Sequence, residues 1–232
     1  MQSNIKSWAN CDDEESAMND DHHYLWEHMI KTCVHRGLSH KSVLDYGCNQ
    51  GGFMELLYRH HPFQSGMGID IATESLAFAA QRLAGKPVSF GTPEDLDSPK
   101  LRAMFDLAFS HEVLYLLPDL AEHAAQMHNA LKQNGVYYAA IGCHTDQPQW
   151  DEWVSLISSY SNVPVQSYGL DDYANAFIEQ GFKASVQPFQ LSGFFPLKKD
   201  NPYFPSVTDT LRYYQNDKVL FRFEKINTST GA

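Results

Sequence analysis

A buried strand that runs straight into a glycine turn and out into a helix leaves few folds open. Residues Val43-Leu44-Asp45-Tyr46-Gly47-Cys48-Asn49-Gln50-Gly51-Gly52 spell that arrangement. Val43 and Leu44 supply the apolar end of the strand, while Gly47 and Gly51 permit tight turning and close backbone approach. Phe53, Leu56 and Leu57 then share one face of a helix over 53–59. A loop between a strand's carboxyl end and a helix's amino end is a place to hold a nucleotide-like cofactor.

Two kinds of cofactor use such loops. The spacing fits GxGxxG with Asn49 in the middle position, so a dinucleotide is one reading. That fingerprint needs bare backbone against the pyrophosphate, where Asn49 places a side chain. Asp45 is the stronger objection, because a carboxylate at the strand terminus repels a diphosphate and attracts an ammonium group. S-adenosylmethionine has an ammonium and a sulfonium and no phosphate. On these residues the sequence resembles the class I S-adenosylmethionine-dependent methyltransferases, whose first motif is commonly written [DE]xGxGxG. Asp45, Gly47 and Gly51 match it, and Asn49 replaces the middle glycine. Asn is the residue besides glycine that most readily takes positive φ, so the turn survives the replacement.

One βα unit downstream, Gly66 to Ile71 reads as a second strand whose Asp70 lies 19 residues after Gly51. An acidic residue at about 20 residues suits the two ribose hydroxyls. Thr73 is the expected cap of the following helix, with Leu76, Ala80 and Leu83 on its apolar face, which leaves Asp70 free for ribose. A third strand over 87–90 leads to Gly91-Thr92-Pro93-Glu94-Asp95-Leu96. The resemblance implies that this turn holds adenine. Thr92-Pro93 departs from the commoner Asp-Ala, so recognition falls to Glu94, Asp95 or backbone groups. Tyr46 and Ile71, beside the two acidic positions, and Ser110 at the end of the fourth strand complete the expected cofactor set.

The fourth strand, Phe105 to Ser110, runs into His111-Glu112-Val113-Leu114-Tyr115-Leu116-Leu117. In the family this position lies beside the reacting methyl. Ser110-His111-Glu112-Val113 does not match the [DNS]PP[YFW] tetrapeptide of enzymes acting on base nitrogens or glutamine amides. Ser110, Leu114 and Leu117 instead fit a loose SxxxLxxL pattern of the small-molecule branch. A helix carrying Leu120, Ala124, Met127 and Leu131 ends in Leu131-Lys132-Gln133-Asn134-Gly135, which resembles the family's turn before a fifth strand over 136–141; Asn134 and Gly135 are both able to take positive φ. A helix over 171–180 stopped by Gly181, a strand over 182–191 and an alternating strand over 218–225 complete the chain. The resemblance, spanning about residues 42 to 225, implies a Rossmann-like, doubly wound α/β fold. Its seven-stranded, mostly parallel sheet has the order 3214576, the last strand antiparallel, with helices on both faces.

The 232 residues, 43% hydrophobic, suit one such core. We expect residues 41–232 to form a single methyltransferase domain with insertions at about 143–168 and 192–216, and residues 1–40 to form an arm and a cofactor-covering helix. The first 20 residues, with Asp12-Asp13-Glu14-Glu15, read as a mobile or lid-forming arm, and 21–36 as a helix whose Tyr24 and Trp26 face the pocket or pack on the sheet. A net charge of −11 without a Lys/Arg cluster makes nucleic acid an unfavoured partner. The four cysteines form no CxxC pair, and the eleven histidines include no HExxH, so neither a disulfide framework nor a metal site is expected. With no leader-like segment and no run of 18 apolar residues, a soluble cytoplasmic monomer or homodimer is expected.

The expected reaction is methyl transfer from S-adenosylmethionine to O, N or S of a small molecule, releasing S-adenosylhomocysteine. His111 is the favoured base, with Glu112 and His144 as competitors. Tyr115, His144, Phe194, Phe195 and Tyr203 are the expected acceptor contacts, since the long connection after residue 191 suits a lid or binding loop. An RNA or protein methyltransferase, a silent S-adenosylmethionine-binding scaffold and a dinucleotide oxidoreductase are the alternatives.

Overall fold

The computed structural model describes residues 12–226. Its strands are β1 (Ser42–Tyr46), β2 (Ser65–Ile69), β3 (Val88–Gly91), β4 (Phe105–His111), β5 (Leu131–Ile141), β6 (Phe182–Pro188) and β7 (Val219–Lys225). They form one sheet in the order β3-β2-β1-β4-β5-β7-β6. β1 pairs in parallel with β2 and β4, and β7 runs antiparallel between β5 and β6. This is the expected 3214576 order with β7 as the antiparallel member. The point where the chain reverses direction across the sheet, between β1 and β4, opens a crevice at the carboxyl ends of the strands.

Among the described residues seven α-helices cover the faces: α1 (Asp12–Cys33), α2 (Gly52–His60), α3 (Thr73–Arg82), α4 (Leu120–Ala130), α5 (Trp150–Tyr160), α6 (Leu170–Glu179) and α7 (Val207–Arg212). Successive strand residues point to opposite faces, so Val43 joins the core under α1, α2 and α5, whereas Leu44 joins the core under α4 and α6. The second core closes on stacked aromatic rings, with Phe177 of α6 and Phe223 of β7 3.8 Å apart. Among the described residues no helix is long and apolar enough to cross a membrane.

Several local expectations change. The stretch from Asp12 onward is the start of α1 rather than a loose arm; residues 1–11 of that arm lie outside the described residues. Ala72, not Thr73, caps α3, and Ala79 rather than Ala80 is buried, because β2 ends at Ile69 and shifts the helix phase. β5 starts at Leu131 and bulges between its pairings with Phe105 and Leu107 of β4; Asn134, at φ 61°, provides the left-handed residue there and Gly135 does not. β6 stops at Pro188, as expected of a residue without a donor for the ladder. The last connection contains α7 and a π turn at Tyr213–Asp217, which no local pattern announces.

Candidate functional site

A cavity of about 1440 Å³ lies along the carboxyl ends of β1, β2 and β4. Pockets for one drug-sized ligand run to roughly 300–1,000 Å³, so there is room here for a cofactor and an acceptor together. Asp45, the penultimate residue of β1, lines it, 4% exposed, and its Oδ2 has no hydrogen-bond partner. Burial, reinforced by the neighbouring Asp70 carboxylate, pushes the Asp45 carboxyl up to about 8. Such an oxygen fits a cationic or hydrogen-bonding guest.

The loop after β1 is held by main-chain bonds to β2: the Gly47 and Cys48 N–H groups both donate to the Ile69 carbonyl, at 2.7 and 3.0 Å. Gly47 has φ 78°, and a Cβ there would stand 2.3 Å from Val113 Cγ2, so only glycine lets the two loops close on each other. Asn49 takes φ 45° and donates its N–H to Asp70 Oδ2 at 2.8 Å. Gly51, at φ 79°, caps α2; a Cβ would meet Leu83 of the α3 terminus at 2.9 Å, so this glycine serves helix packing and does not line the cavity.

Asp70 lines the cavity and holds its own loop. Its Oδ1 accepts from the Ala72 N–H at 2.8 Å, an Asx turn that leads into α3. Each oxygen keeps a second lone pair for a ligand hydroxyl. Burial raises its carboxyl, and the amides of Ala72 and Asn49 oppose that rise. Tyr46, Ile71, Pro93 and Glu94 line the same end of the cavity; Ile71, 44% exposed, offers an apolar rim. Thr92 and Asp95 turn inward to each other, Asp95 Oδ2 accepting the Thr92 N–H at 2.8 Å, and do not line it. Ser110 is likewise turned away, accepting from Tyr137 Oη at 2.7 Å, which also bonds His123.

Beyond β4 the cavity widens into a chamber. His111 lines it with Nε2 buried and without a hydrogen-bond partner. Burial, with the Lys218 and His22 charges adding to it, holds the imidazole well below its ordinary value, so it is neutral. Glu112 sits at φ 55°, a conformation held by its side chain. Its carboxylate accepts from the Gly142 N–H at 3.0 Å, the Cys143 N–H at 3.3 Å, Tyr213 Oη at 3.2 Å and the ammonium of Lys218, which is 1% exposed. Burial alone would raise the carboxyl, but Lys218 and the two amides hold it below the ordinary carboxylate range. A carboxylate saturated in this way secures the β4 loop to β5 and β7 and does not take protons from a guest. Aromatic rings form the remaining wall: Trp26 from α1, Tyr115 after β4, Trp153 and Tyr160 from α5, and Tyr203 with Tyr214 from the last connection.

Residues 38–181, more than half the chain, match the family model described as a methyltransferase domain. The chain belongs to that methyltransferase family. No curated protein matches its sequence. Solved structures share the fold at low identity. A chain of the complex between the Haloferax volcanii Trm112 methyltransferase activator and a methyltransferase superposes with a TM-score of 0.77 at 18% identity, over 93% of this chain and 95% of that one. The Bacillus YcgJ protein gives 0.66 at 17% identity, over 88% and 99%. Geranyl diphosphate C-methyltransferase from Streptomyces coelicolor, in complex with Mg2+, geranyl diphosphate and S-adenosyl-L-homocysteine, gives 0.63 at 18% identity, over 92% and 81%.

In this methyltransferase the residues expected around the acceptor divide. Tyr115 and Tyr203 line the chamber. His144 does not: it is 2% exposed and its Nε2 bonds the Asp217 carbonyl at 2.7 Å, which ties the loop after β5 to the π turn. Phe194 projects fully into solvent, and Phe195 packs on Tyr214, 5.2 Å between centroids, outside the cavity. Lys218 is the functional-site residue that the sequence concealed, since a lysine before a strand carries no signal of burial. Trp153 and Tyr160 are also chamber residues whose helical context gave no hint of their target, whereas Phe204 belongs to the long aromatic connection expected to form a binding loop. Among the described residues no cluster of His, Cys, Asp or Glu could hold a metal, and Cys33, Cys48 and Cys143 are free.

Proposed function

We propose that this chain transfers the methyl group of S-adenosylmethionine to a small-molecule acceptor. The observation that carries the reading is the buried, unpartnered Asp45 Oδ2 beside the Gly47 turn, a carboxyl oxygen at the cavity wall whose ionised form an ammonium guest would stabilise. The methionyl ammonium fits it, and a diphosphate does not. Asp70 would hold the ribose, and Ile71, Pro93 and Glu94 the adenine. The cofactor supplies a methyl already activated by its sulfonium; the protein's contribution is to align the two partners and exclude water. The small-molecule reading is supported by the depth of the chamber behind His111 and by the acidic balance of the chain, which offers little to a phosphate backbone. Residues 41–232 serve as the transferase unit and α1 as its cover; His22, Tyr24, Leu25 and Trp26 of α1 line the cavity. Free buried cysteines suit a reducing compartment such as the cytoplasm.

Isothermal titration calorimetry against S-adenosylmethionine, S-adenosylhomocysteine and NAD tests this, with Asp70→Ala as control. Binding of the first two, weakened by Asp70→Ala, is the expected result. Binding of NAD alone, or of none, would sink the reading.

A further inference from the structure

The two ends of the cavity differ in charge. At the cofactor end it is lined by the carboxyl groups of Asp45, Asp70, Glu94, Asp97 and Glu122. They converge on Tyr46, the last residue of β1: burial first, and then the charges of Asp70, Glu94, Glu122 and Asp97, push its hydroxyl up. The charges that act most strongly on Asp45 and Tyr46 are thus carboxylates. His123, which also lines this end, is held down to about 3 by burial and stays neutral. Among the described residues the Lys and Arg side chains that line the cavity are Lys198, Lys199 and Lys218, none of them from this end. Lys218 is bonded to Glu112, and Lys199 stands on the last connection 4.0 Å from Asp200. A group of exposed carboxylates alone would be a solvated rim. Here the buried Asp45 Oδ2 lies among them without a hydrogen-bond partner, so the acidic field extends to an atom shaped for a cationic guest.

The methyl donor and its product differ by one charge. S-adenosylmethionine carries a sulfonium. On transfer the methyl carbon bonds to the acceptor and the carbon–sulfur electron pair stays on sulfur, so S-adenosylhomocysteine is a neutral thioether at the same atom. Ammonium, carboxylate, ribose and adenine are common to both. We propose, resting on the methyltransferase reading above, that the carboxylates around Tyr46 select the charged donor over the neutral product, so that methyl transfer itself loosens the cofactor for release. Asp97 and Glu122 act at a distance, through the field that a cleft lined by one sign of charge focuses on its guest. Both are exposed, so salt screens their contribution. The pairing of the ammonium with Asp45 is the same for donor and product and does not contribute to the preference.

The test is calorimetric titration of the full-length protein with S-adenosylmethionine and, separately, S-adenosylhomocysteine, at about 10 mM and about 1 M KCl, where the Debye length is about 30 Å and about 3 Å. The ratio of the two dissociation constants cancels the contacts that the ligands share, and the contact of the extra methyl is not screened by salt. At low salt the donor should bind at least about fivefold tighter than the product, and at high salt the ratio should fall to about twofold or less. The double variant Asp97→Asn/Glu122→Gln should at low salt weaken the donor about threefold and leave the product within about 1.5-fold. Equal or tighter binding of the product at low salt overturns the proposal, as does a ratio that salt leaves unchanged or a double variant that weakens both ligands alike. Failure of both ligands to bind would instead defeat the underlying methyltransferase reading, so the two failures are distinguishable.

Discussion

Because Asp45 is buried with its carboxyl pushed up to about 8, binding of an ammonium-bearing ligand must expel a proton. At pH 7 a group with that value is about nine-tenths protonated in the free protein, and its ionised form is the one that pairs with the ligand. Calorimetric titration of S-adenosylhomocysteine in phosphate and in Tris, whose ionisation enthalpies differ, should therefore show release of about 0.9 proton per ligand at pH 7 and about 0.5 at pH 8. Asp45→Asn removes the exchangeable proton and the charge. Its titrations should agree between buffers, and its affinity should fall by about 1.5–3 kcal/mol, the range for a hydrogen bond to a charged group, or roughly 10- to 150-fold. The same shift governs stability without ligand. A carboxyl whose value is raised on folding stabilises fully below its ordinary value of 3.8, and that stability is lost as pH rises toward about 8. The slope is about 1.4 kcal/mol per pH unit. Urea unfolding of the wild type should thus weaken between pH 5 and 8 relative to Asp45→Asn. Wild-type titrations that agree between buffers, or an Asp45→Asn protein that binds equally tightly, would refute the assignment of Asp45 as the ammonium partner.

Other perturbations separate binding from architecture. Lys218→Met strands the Glu112 carboxylate and should cost about 3–5 kcal/mol in urea unfolding, with the Glu112→Gln/Lys218→Met double variant losing less than the sum of the singles. Gly47→Ala forces a residue with Cβ into φ 78° and against Val113, so it should abolish S-adenosylhomocysteine binding; adding Val113→Ala relieves the contact but leaves the about 1–2 kcal/mol conformational cost, which calorimetry would show as partial recovery. Ser110→Ala removes a buried hydrogen bond to Tyr137 and should lower stability by about 1 kcal/mol while leaving S-adenosylhomocysteine affinity within twofold, since Ser110 does not line the cavity. A loss of affinity there would show that Ser110 reaches the ligand after all.

Much of the fold was legible because its signals are short-range. The run from Val43 to Gly52 joins a strand, a turn that needs positive φ and an amphipathic helix within ten residues, and each part is decided by neighbours in the chain. Asn49 at φ 45° follows from the same local chemistry. The alternation of Phe221 and Phe223 with Arg222 and Glu224 likewise marks β7 without reference to any partner strand. Sheet order was legible only through family resemblance, since periodicity does not say which strands are adjacent.

What only the tertiary structure decided is where side chains far apart in sequence meet. Lys218 and Glu112 are 106 positions apart and find each other because β7 inserts antiparallel beside β5, bringing the start of one strand to the end of β4. His144 carries the polar chemistry that would suit a base, yet the π turn presents the Asp217 carbonyl to it and takes it out of the cavity. Phe194 and Tyr203 belong to one aromatic connection, and one faces water while the other lines the chamber. Local sequence determined the elements and the cofactor turn, because a dihedral preference acts on the residue that has it. The fold determined which polar groups are spent on one another and which, like Asp45 and His111, are left facing the cavity, because desolvation and pairing depend on every chain segment that packs around them.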